Sequence, residues 1–270
     1  MALTTMDGLV SGLAYSKRNR VYMPSATNVA GGLVNLNQAV TGSHGLMAAP
    51  TAFGSGGTTY NQSTVSTGFN EWPAGSGTDS WLARMALTGT VAGTIHIYDI
   101  LWACSGFVGN SASAQSVSSF SGMPSRNTTG EEASLWIGCS SAIGVTAHNV
   151  TASYTNQAGT SGRTTVSTAG IASMPANRMY QLPLQAGDTG IQALASITLS
   201  VSSGTAGNLW ALIMVPICSI PLPLVNVGAV LDFASLGLPL IDDESCLAFI
   251  HQGTTTSSGI ILGQFDVVQG

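Results

Sequence analysis

The sequence predicts an all-β protein: an antiparallel, jelly-roll-like β-sandwich with an extended N-terminal arm. Short runs of β-branched, aliphatic and aromatic residues recur at near-regular spacing, and turns rich in Gly, Ser and Thr separate them. The 270 residues include only 7 Lys and Arg and 12 Asp and Glu, or 7% charged residues. Long surface helices and coiled coils need far more Glu and Lys, so the composition disfavours both.

The strand candidates follow one another along most of the chain. Early candidates occupy residues 81–87, 94–102 and 134–139. Later candidates come in pairs with the spacing of β-hairpins, because each pair encloses a short Gly-containing or Ser-containing turn. These pairs are residues 146–155 with 163–168, 191–201 with 209–215, and 246–250 with 260–268.

The chain is predicted to have two parts. Residues 1–75 are Gly-rich and weakly patterned, and they are expected to form an extended arm with loops. Segments of this length without regular structure are uncommon in a self-contained domain, so a neighbouring subunit is expected to supply contacts. Residues 76–270 carry the strand pattern and are expected to form the sandwich domain.

One segment has the length and apolar character of a membrane span. Leu209 to Val230 carries no charge over roughly 20 residues, which matches a bilayer-spanning helix. Pro216, Pro221 and Pro223 lie within it, however, and prolines at this density break a helix that depends on its own hydrogen bonds. The pattern therefore predicts a buried strand that continues into an extended segment, and no membrane association.

The cysteines give no sign of a metal or redox motif, because no C-x-x-C pair occurs. We expect buried free thiols at all four positions, with one or two disulfides as the alternative. These positions are Cys104, Cys139, Cys218 and Cys246.

Charge points to a protein partner rather than to nucleic acid. The formal net charge is −5, whereas proteins that neutralise phosphates need several clustered bases. Lys17, Arg18 and Arg20 form the one basic cluster in the sequence. We predict that these three residues dock onto an acidic protein surface, with a DNA contact and a solvated turn as the alternatives.

The remaining acidic and histidine patterns of the sequence predict no catalytic residue, metal site or cofactor. Asp188-Thr-Gly190 matches the aspartic-protease triplet, but it lies in a turn without a second copy. Asp242, Asp243 and Glu244 could hold Ca²⁺, although a solvated turn is favoured. The histidines are isolated in the sequence; they are His44, His96, His148 and His251.

The tryptophans divide into one loop residue and four strand residues. Trp72 lies in a loop before Pro73, where it is placed to stack on a sugar ring or to anchor an interface. The other four are expected in the core: Trp81, Trp102, Trp136 and Trp210.

Four stretches, spread over nearly the whole chain, resemble structural proteins of tailed double-stranded-DNA bacteriophages. They are Gly8–Val21, Tyr98–Gly106, Thr151–Arg163 continued by Leu184–Gly190, and Leu238–Ala248. The resemblance implies a non-enzymatic β-sandwich component of the virion. Its low charge suits such a role, because charged side chains are costly to desolvate in an interface.

The expected function is therefore that of a capsid decoration, or cement, protein that binds major capsid subunits in the virion. We expect a homo-oligomer, with a trimer as the specific guess, and no direct contact with nucleic acid. A neck, collar or tail component is the alternative within the same class. A receptor-binding or glycan-binding module, with Trp72 facing the ligand, is the alternative from another class.

Overall fold

A computed structural model describes residues 6–14, 17–27, 30–39, 55–62, 80–168, 171 and 174–269. Within these residues the structure is almost entirely antiparallel β, which confirms the predicted all-β, sandwich-like fold. The helices are short: α1 Met6–Ala14, α2 Leu36–Ala39 and α3 Phe233–Leu236. The strands are β1 Lys17–Met23, β2 Leu33–Asn35, β3 Thr58–Thr59, β4 Ser80–Gly89, β5 Gly93–Phe107, β6 Gln115–Ser116, β7 Ser134–Ser141, β8 Val150–Asn156, β9 Arg163–Thr164, β10 Arg178–Leu182, β11 Ile191–Leu199, β12 Asn208–Leu222, β13 Ala229–Leu231, β14 Leu240–Ile241, β15 Leu247–Gly253 and β16 Ile261–Gln269.

The chain divides into two compact units. Unit 1 combines Met1–Met47, Gln62–Tyr98 and Ile217–Gly270, and unit 2 combines Ala48–Asn61 and Asp99–Pro216. Both units are built from segments that are distant in sequence. The predicted boundary between residues 75 and 76 lies outside the described residues.

Unit 1 contains a sheet with the strand order β1-β16-β4-β13, and β14 also pairs with β4. The inner face of this sheet packs on β2, β15 and the first part of β5, and Met85, Phe249 and Phe265 are buried between the two layers. Side chains of a strand alternate between its two faces, so the inner residues are apolar and the outer ones are mixed. The opposite face of this sheet carries the candidate site described below.

Unit 2 is a second sandwich. One layer has the order β6-β11-β8-β9, and strands β7, β10 and β12 belong to the other. Tyr154, Ile197 and Ile213 are fully buried in the core between the layers. Trp102 and Trp210 are also fully buried in this unit, as their positions in strands predict.

Only one of the three predicted hairpins forms. Strand β8 pairs with β9, as predicted for residues 146–155 and 163–168. The other two predictions were wrong: β11 pairs with β8 and β6 while β12 pairs with β7, and β15 pairs with β2 while β16 pairs with β1 and β4. In both of these cases the two consecutive strands belong to different sheets. Crossing from one sheet to the other is how a sandwich encloses its core, and turn length alone does not distinguish this from a hairpin.

Residues Lys17–Met23, which lie within the predicted N-terminal arm, form a strand of the sheet of unit 1. It runs antiparallel to the C-terminal strand, with Lys17 opposite Val267 and Met23 opposite Ile261. Helix α1 precedes it and buries Leu9 against Ala83 and Val268.

The apolar segment that begins at Leu209 forms strand β12, which includes Pro216 and ends at Leu222. Among the described residues, no helix has the length and apolar character needed to cross a bilayer.

Candidate interaction surface

The predicted basic cluster lies on the outer face of the β1-β16-β4-β13 sheet. In β1, Asn19, Val21 and Met23 are buried, whereas Arg18 and Arg20 are exposed. This alternation follows from the two-residue period of a strand. Arg18 and Arg20 therefore share one face. The side chain of Lys17, the third predicted docking residue, lies outside the described residues.

A row of three charged residues crosses this face. The pairing register places Arg18 opposite Asp266, and Asp266 opposite Arg84 on the next strand. The Arg18 Nε donates to Oδ1 of Asp266 at 3.1 Å, and the carboxylate is almost fully buried while Arg18 remains 60% exposed. Asp266 thus orients an exposed guanidinium, and Arg84 adds a second exposed cation in the same row.

Apolar side chains occupy the neighbouring rows. Tyr22 lies opposite Leu262, and Leu262 lies opposite Thr88. Tyr22, Leu262 and Val230 are exposed to 40%, 44% and 57%, and the pairing register places them on one face of the sheet. Two of these side chains, Val230 and Leu262, line an open apolar cavity of about 210 Å³. Its other lining residues are Ala86, Leu87, Thr88, Gly228, Ala229 and Gly263.

The loop between β12 and β13 extends the apolar area. The backbone N–H of Asn226 donates to the carbonyl of Gly89 at 2.8 Å, which fixes this loop at the end of β4. Exposed apolar side chains flank Asn226 at Leu224, Val225 and Val227. Contiguous exposed apolar side chains on a soluble protein mark interaction sites, because their desolvation stabilises association.

We call this surface the outer face and define it by Arg18, Arg20, Tyr22, Arg84, Val230 and Leu262. Sequence reasoning found Arg18 and Arg20 but missed the other four. The pairing of β4 and β1 on either side of β16 brings them together, and residues 22 and 262 are far apart in sequence. Nothing in the local sequence of Arg84 distinguishes it from an ordinary solvated residue.

The other end of the same sheet face is covered. Leu9 of α1 packs with Ala83 and Val268, and Trp81, Phe233 and Leu238 pack around them. The outer face is therefore the part of the sheet that the helices of unit 1 leave open.

Asp188 holds a hydrogen-bond network inside unit 2. Its Oδ2 accepts from the Tyr154 hydroxyl at 2.5 Å and from Arg163 Nε at 2.9 Å, and its Oδ1 accepts from Asn156 Nδ2 and Arg163 Nη2. The Arg163 guanidinium is the main cause that lowers the pKa of Asp188 to about 2. Both carboxylate oxygens are thus occupied by structural donors. The network stabilises the fold above about pH 4, and this contribution is lost as the pH falls towards 2.

A second ion pair in unit 2 is almost fully buried. Arg126 donates from Nε to Asp99 Oδ2 at 2.7 Å and from Nη2 to Asp99 Oδ1 at 3.1 Å. The same guanidinium donates to the carbonyl of Ile100 and to Asn61 Oδ1. It therefore fastens the 3-10 turn Ser125–Asn127 to β5 and to residue 61, a role that the sequence did not suggest.

The described histidines do not form a cluster with the other metal-ligating residue types. Among the described residues, no group of three His, Cys, Asp or Glu side chains is placed to hold a metal ion. His251 is fully buried, and burial, assisted by nearby His96, lowers its pKa to about 4. His96 is hydrogen bonded to Ser219, and His148 to the carbonyl of Thr146. His44 lies outside the described residues.

The four cysteines are free thiols. Three of them are fully buried as expected, whereas Cys218 is only half-buried. Burial raises the pKa of Cys104, Cys139 and Cys218 to about 12. Since the thiolate is the reactive form, a raised pKa lowers the reactivity of these thiols at neutral pH.

The acidic turn lies at the edge of the sheet of unit 1. The Asp242 carboxylate accepts from the backbone N–H of Glu244 at 2.9 Å, and Asp243 accepts from the Ser80 hydroxyl. The bond to Asp242 is the local hydrogen bonding of a turn, and the bond to Asp243 joins this turn to the first residue of β4. Trp72, the predicted ligand-stacking residue, lies outside the described residues.

No protein-family model matches the chain, and no curated protein matches it. Two solved structures align with it, those of infectious bursal disease virus Gt strain and Gx strain. The first is 11% identical with a TM-score of 0.17, and the second is 10% identical with a TM-score of 0.15. Each alignment covers 94% of this chain and 81% of the other. TM-scores this low do not establish a common fold, so the alignments carry no argument about function.

Proposed function

We propose that this chain is a non-enzymatic structural protein of a bacteriophage virion, a capsid decoration protein that stabilises the head by binding major capsid subunits. The observation that carries the proposal is the outer face. It combines exposed apolar side chains with Arg18, Arg20 and Arg84, so it has the aromatic, aliphatic and arginine composition of protein interfaces.

Two further properties of the chain support a role in assembly. Charged residues make up 7% of the sequence, so few charged side chains have to be desolvated when subunits associate. The arginines of the outer face favour an acidic partner. The net charge of the whole chain is −5, so packaged DNA would repel it, and an acidic protein is the favoured partner.

The proposal is tested by co-sedimentation. The purified protein is mixed with heads of the phage that encodes it, prepared without this protein, and the heads are then pelleted. Wild-type protein is expected to sediment with the heads and to raise the temperature at which they release DNA. Arg20→Glu is expected to reduce binding at least tenfold, because it reverses a charge on the outer face.

The matched control is Thr160→Glu/Ser161→Glu, which changes the net charge by the same amount at exposed positions of unit 2. This variant is expected to bind like wild type. Equal binding by Arg20→Glu and wild type would remove the outer face from the proposal. Failure of the wild-type protein to bind heads would remove the decoration role itself.

A further inference from the structure

His251 is an ionisable side chain that lies inside the apolar core of unit 1. It is fully buried in β15, which lies between β2 and β5 in its sheet. The pairing register places it opposite Val34 of β2, and Val34 belongs to the buried core between the two layers of unit 1. Since residues directly opposite each other in a sheet share a face, the imidazole points into the same apolar core.

Two glycines enclose the imidazole. A Cβ added at Gly93 would lie 2.6 Å from Nε2 of His251, and one added at Gly253 would lie 2.7 Å from its Cε1. The ring therefore fills the space that two missing side chains leave, and it is held against backbone on both sides.

Neither ring nitrogen of His251 has a hydrogen-bond partner among the described residues. A neutral imidazole has one N–H donor and one acceptor, so folding removes the hydrogen bonds that both nitrogens make with water in the unfolded chain. A protonated imidazole would place two N–H donors and a positive charge at the same position. Burial of an unpaired charge costs far more than burial of a neutral polar group.

The elements around the ring provide no carboxylate among the described residues. The side chains that the opposite sheet contributes to this core are apolar, as Met85, Ile261 and Phe265 are, and its charged row lies on the outer face. Strand β2, the turn at residues 90–92 and the loop at residues 254–260 contain no titratable side chain. A protonated imidazole would therefore be buried here without an ion-pair partner.

The titratable neighbours on β5 and β12 do not stabilise a positive charge either. The core positions of β5 are Ile95 and Ile97, and His96 lies between them on the other face. Burial lowers the pKa of His251 to about 4, and nearby His96 adds to this effect. Cys218 of β12 packs against the core and is neutral, because burial raises its pKa to about 12.

We propose that His251 is an acid-sensitive switch built into unit 1: the folded unit holds the ring neutral, and acid separates β15 from its neighbouring strands because the protonated ring needs water. The sheet that carries the outer face packs on β2, β15 and the first part of β5, so acid also weakens the support of the outer face. The inference goes beyond the proposed function and does not depend on the partner of the outer face.

The pH window of the switch follows from proton linkage. The ordinary pKa of His251 is 6.5, whereas its pKa in the folded unit is about 4. As the pH falls from about 6.5 to about 4, the open form binds a proton and the folded form does not, so the folded form loses stability. Below this window both forms are protonated and the loss levels off. The Asp188 network of unit 2 is lost only at lower pH, because the pKa of Asp188 is about 2.

The test measures hydrogen exchange of the β15 amides in wild type, His251→Leu and His96→Gln between pH 7 and pH 4. Leucine has a similar volume to histidine but no titratable group, and His96→Gln removes a half-buried imidazole from the neighbouring strand as the control. The opening constant of wild type is expected to rise about 100-fold more than that of His251→Leu over this interval. His96→Gln is expected to respond like wild type, to within about tenfold.

NMR titration of the wild-type imidazoles provides a second measurement that does not depend on the folding of a variant. The His251 ring is expected to stay neutral down to about pH 5, and its protonation is expected to coincide with loss of amide protection in β15. Equal pH responses of wild type and His251→Leu would overturn the inference, as would a response abolished in His96→Gln. A His251 ring that is protonated near pH 6.5 while β15 stays protected would also overturn it.

Discussion

Arg126→Met is expected to lower the free energy of unfolding by about 3–5 kcal/mol, the typical cost of removing one partner from a buried ion pair. The Arg126 and Asp99 side chains are only 5% and 8% exposed. Without the guanidinium, Asp99 is left as a buried charge without its bidentate partner, and the carbonyl of Ile100 loses a donor. Urea unfolding followed by fluorescence measures the loss.

An exposed arginine provides the control for the effect of removing a positive charge. Arg20→Met removes the same charge at an exposed position and is expected to cost about 0–1 kcal/mol. The double variant Arg126→Met/Asp99→Leu is expected to be more stable than Arg126→Met, since it removes the buried carboxylate as well. Equal stability of Arg126→Met and Arg20→Met would contradict the structural role of the ion pair.

Gly130→Ala is expected to destabilise unit 2 by about 3 kcal/mol or more. Gly130 has a φ of 67°, a conformation that costs an L side chain about 1–2 kcal/mol. A Cβ at this position would also overlap the backbone carbonyl of Ile191, and overpacking adds about 1–3 kcal/mol. The clash involves backbone, so Gly130 and Ile191 cannot separate without breaking the hydrogen bond from the Ile191 N–H to the Gly130 carbonyl.

Gly162 provides the matched control, because its φ is 72° and a Cβ there would meet nothing within 4 Å. Gly162→Ala is expected to cost only the conformational part, about 1 kcal/mol. The difference in unfolding temperature between Gly130→Ala and Gly162→Ala measures the effect of the close backbone approach between Gly130 and Ile191. Similar losses for both would show that the close approach contributes nothing.

The all-β class could be predicted because the two-residue period is local. Strand β8 shows its buried side in its own sequence, since Val150, Ala152 and Tyr154 are buried in alternation. The choice of sheet is not local. Strands β11 and β12 both have an apolar side, and the sequence does not say that they face each other across a core instead of pairing.

Part of the outer face could also be predicted, because the two-residue period of a strand is local. Arg18 and Arg20 are two residues apart, so their common face follows from strand geometry alone. Arg84, Val230 and Leu262 join them only because β16 lies between β1 and β4 and because β13 pairs with β4. Pairing between strands this far apart in the chain leaves no trace in a single sequence.

The measurement that tests the outer face most directly is thiol labelling of Leu262→Cys before and after assembly into virions. The native thiols are expected to give little background at neutral pH. Cys104, Cys139 and Cys246 are fully buried, and burial raises the pKa of Cys218 to about 12. Position 262 is 44% exposed, so a maleimide is expected to label it rapidly in dilute protein. If the outer face is the assembly surface, the particle protects this thiol and dissociation of the particle restores labelling. Equally rapid labelling in intact particles and in dilute protein would contradict the proposal.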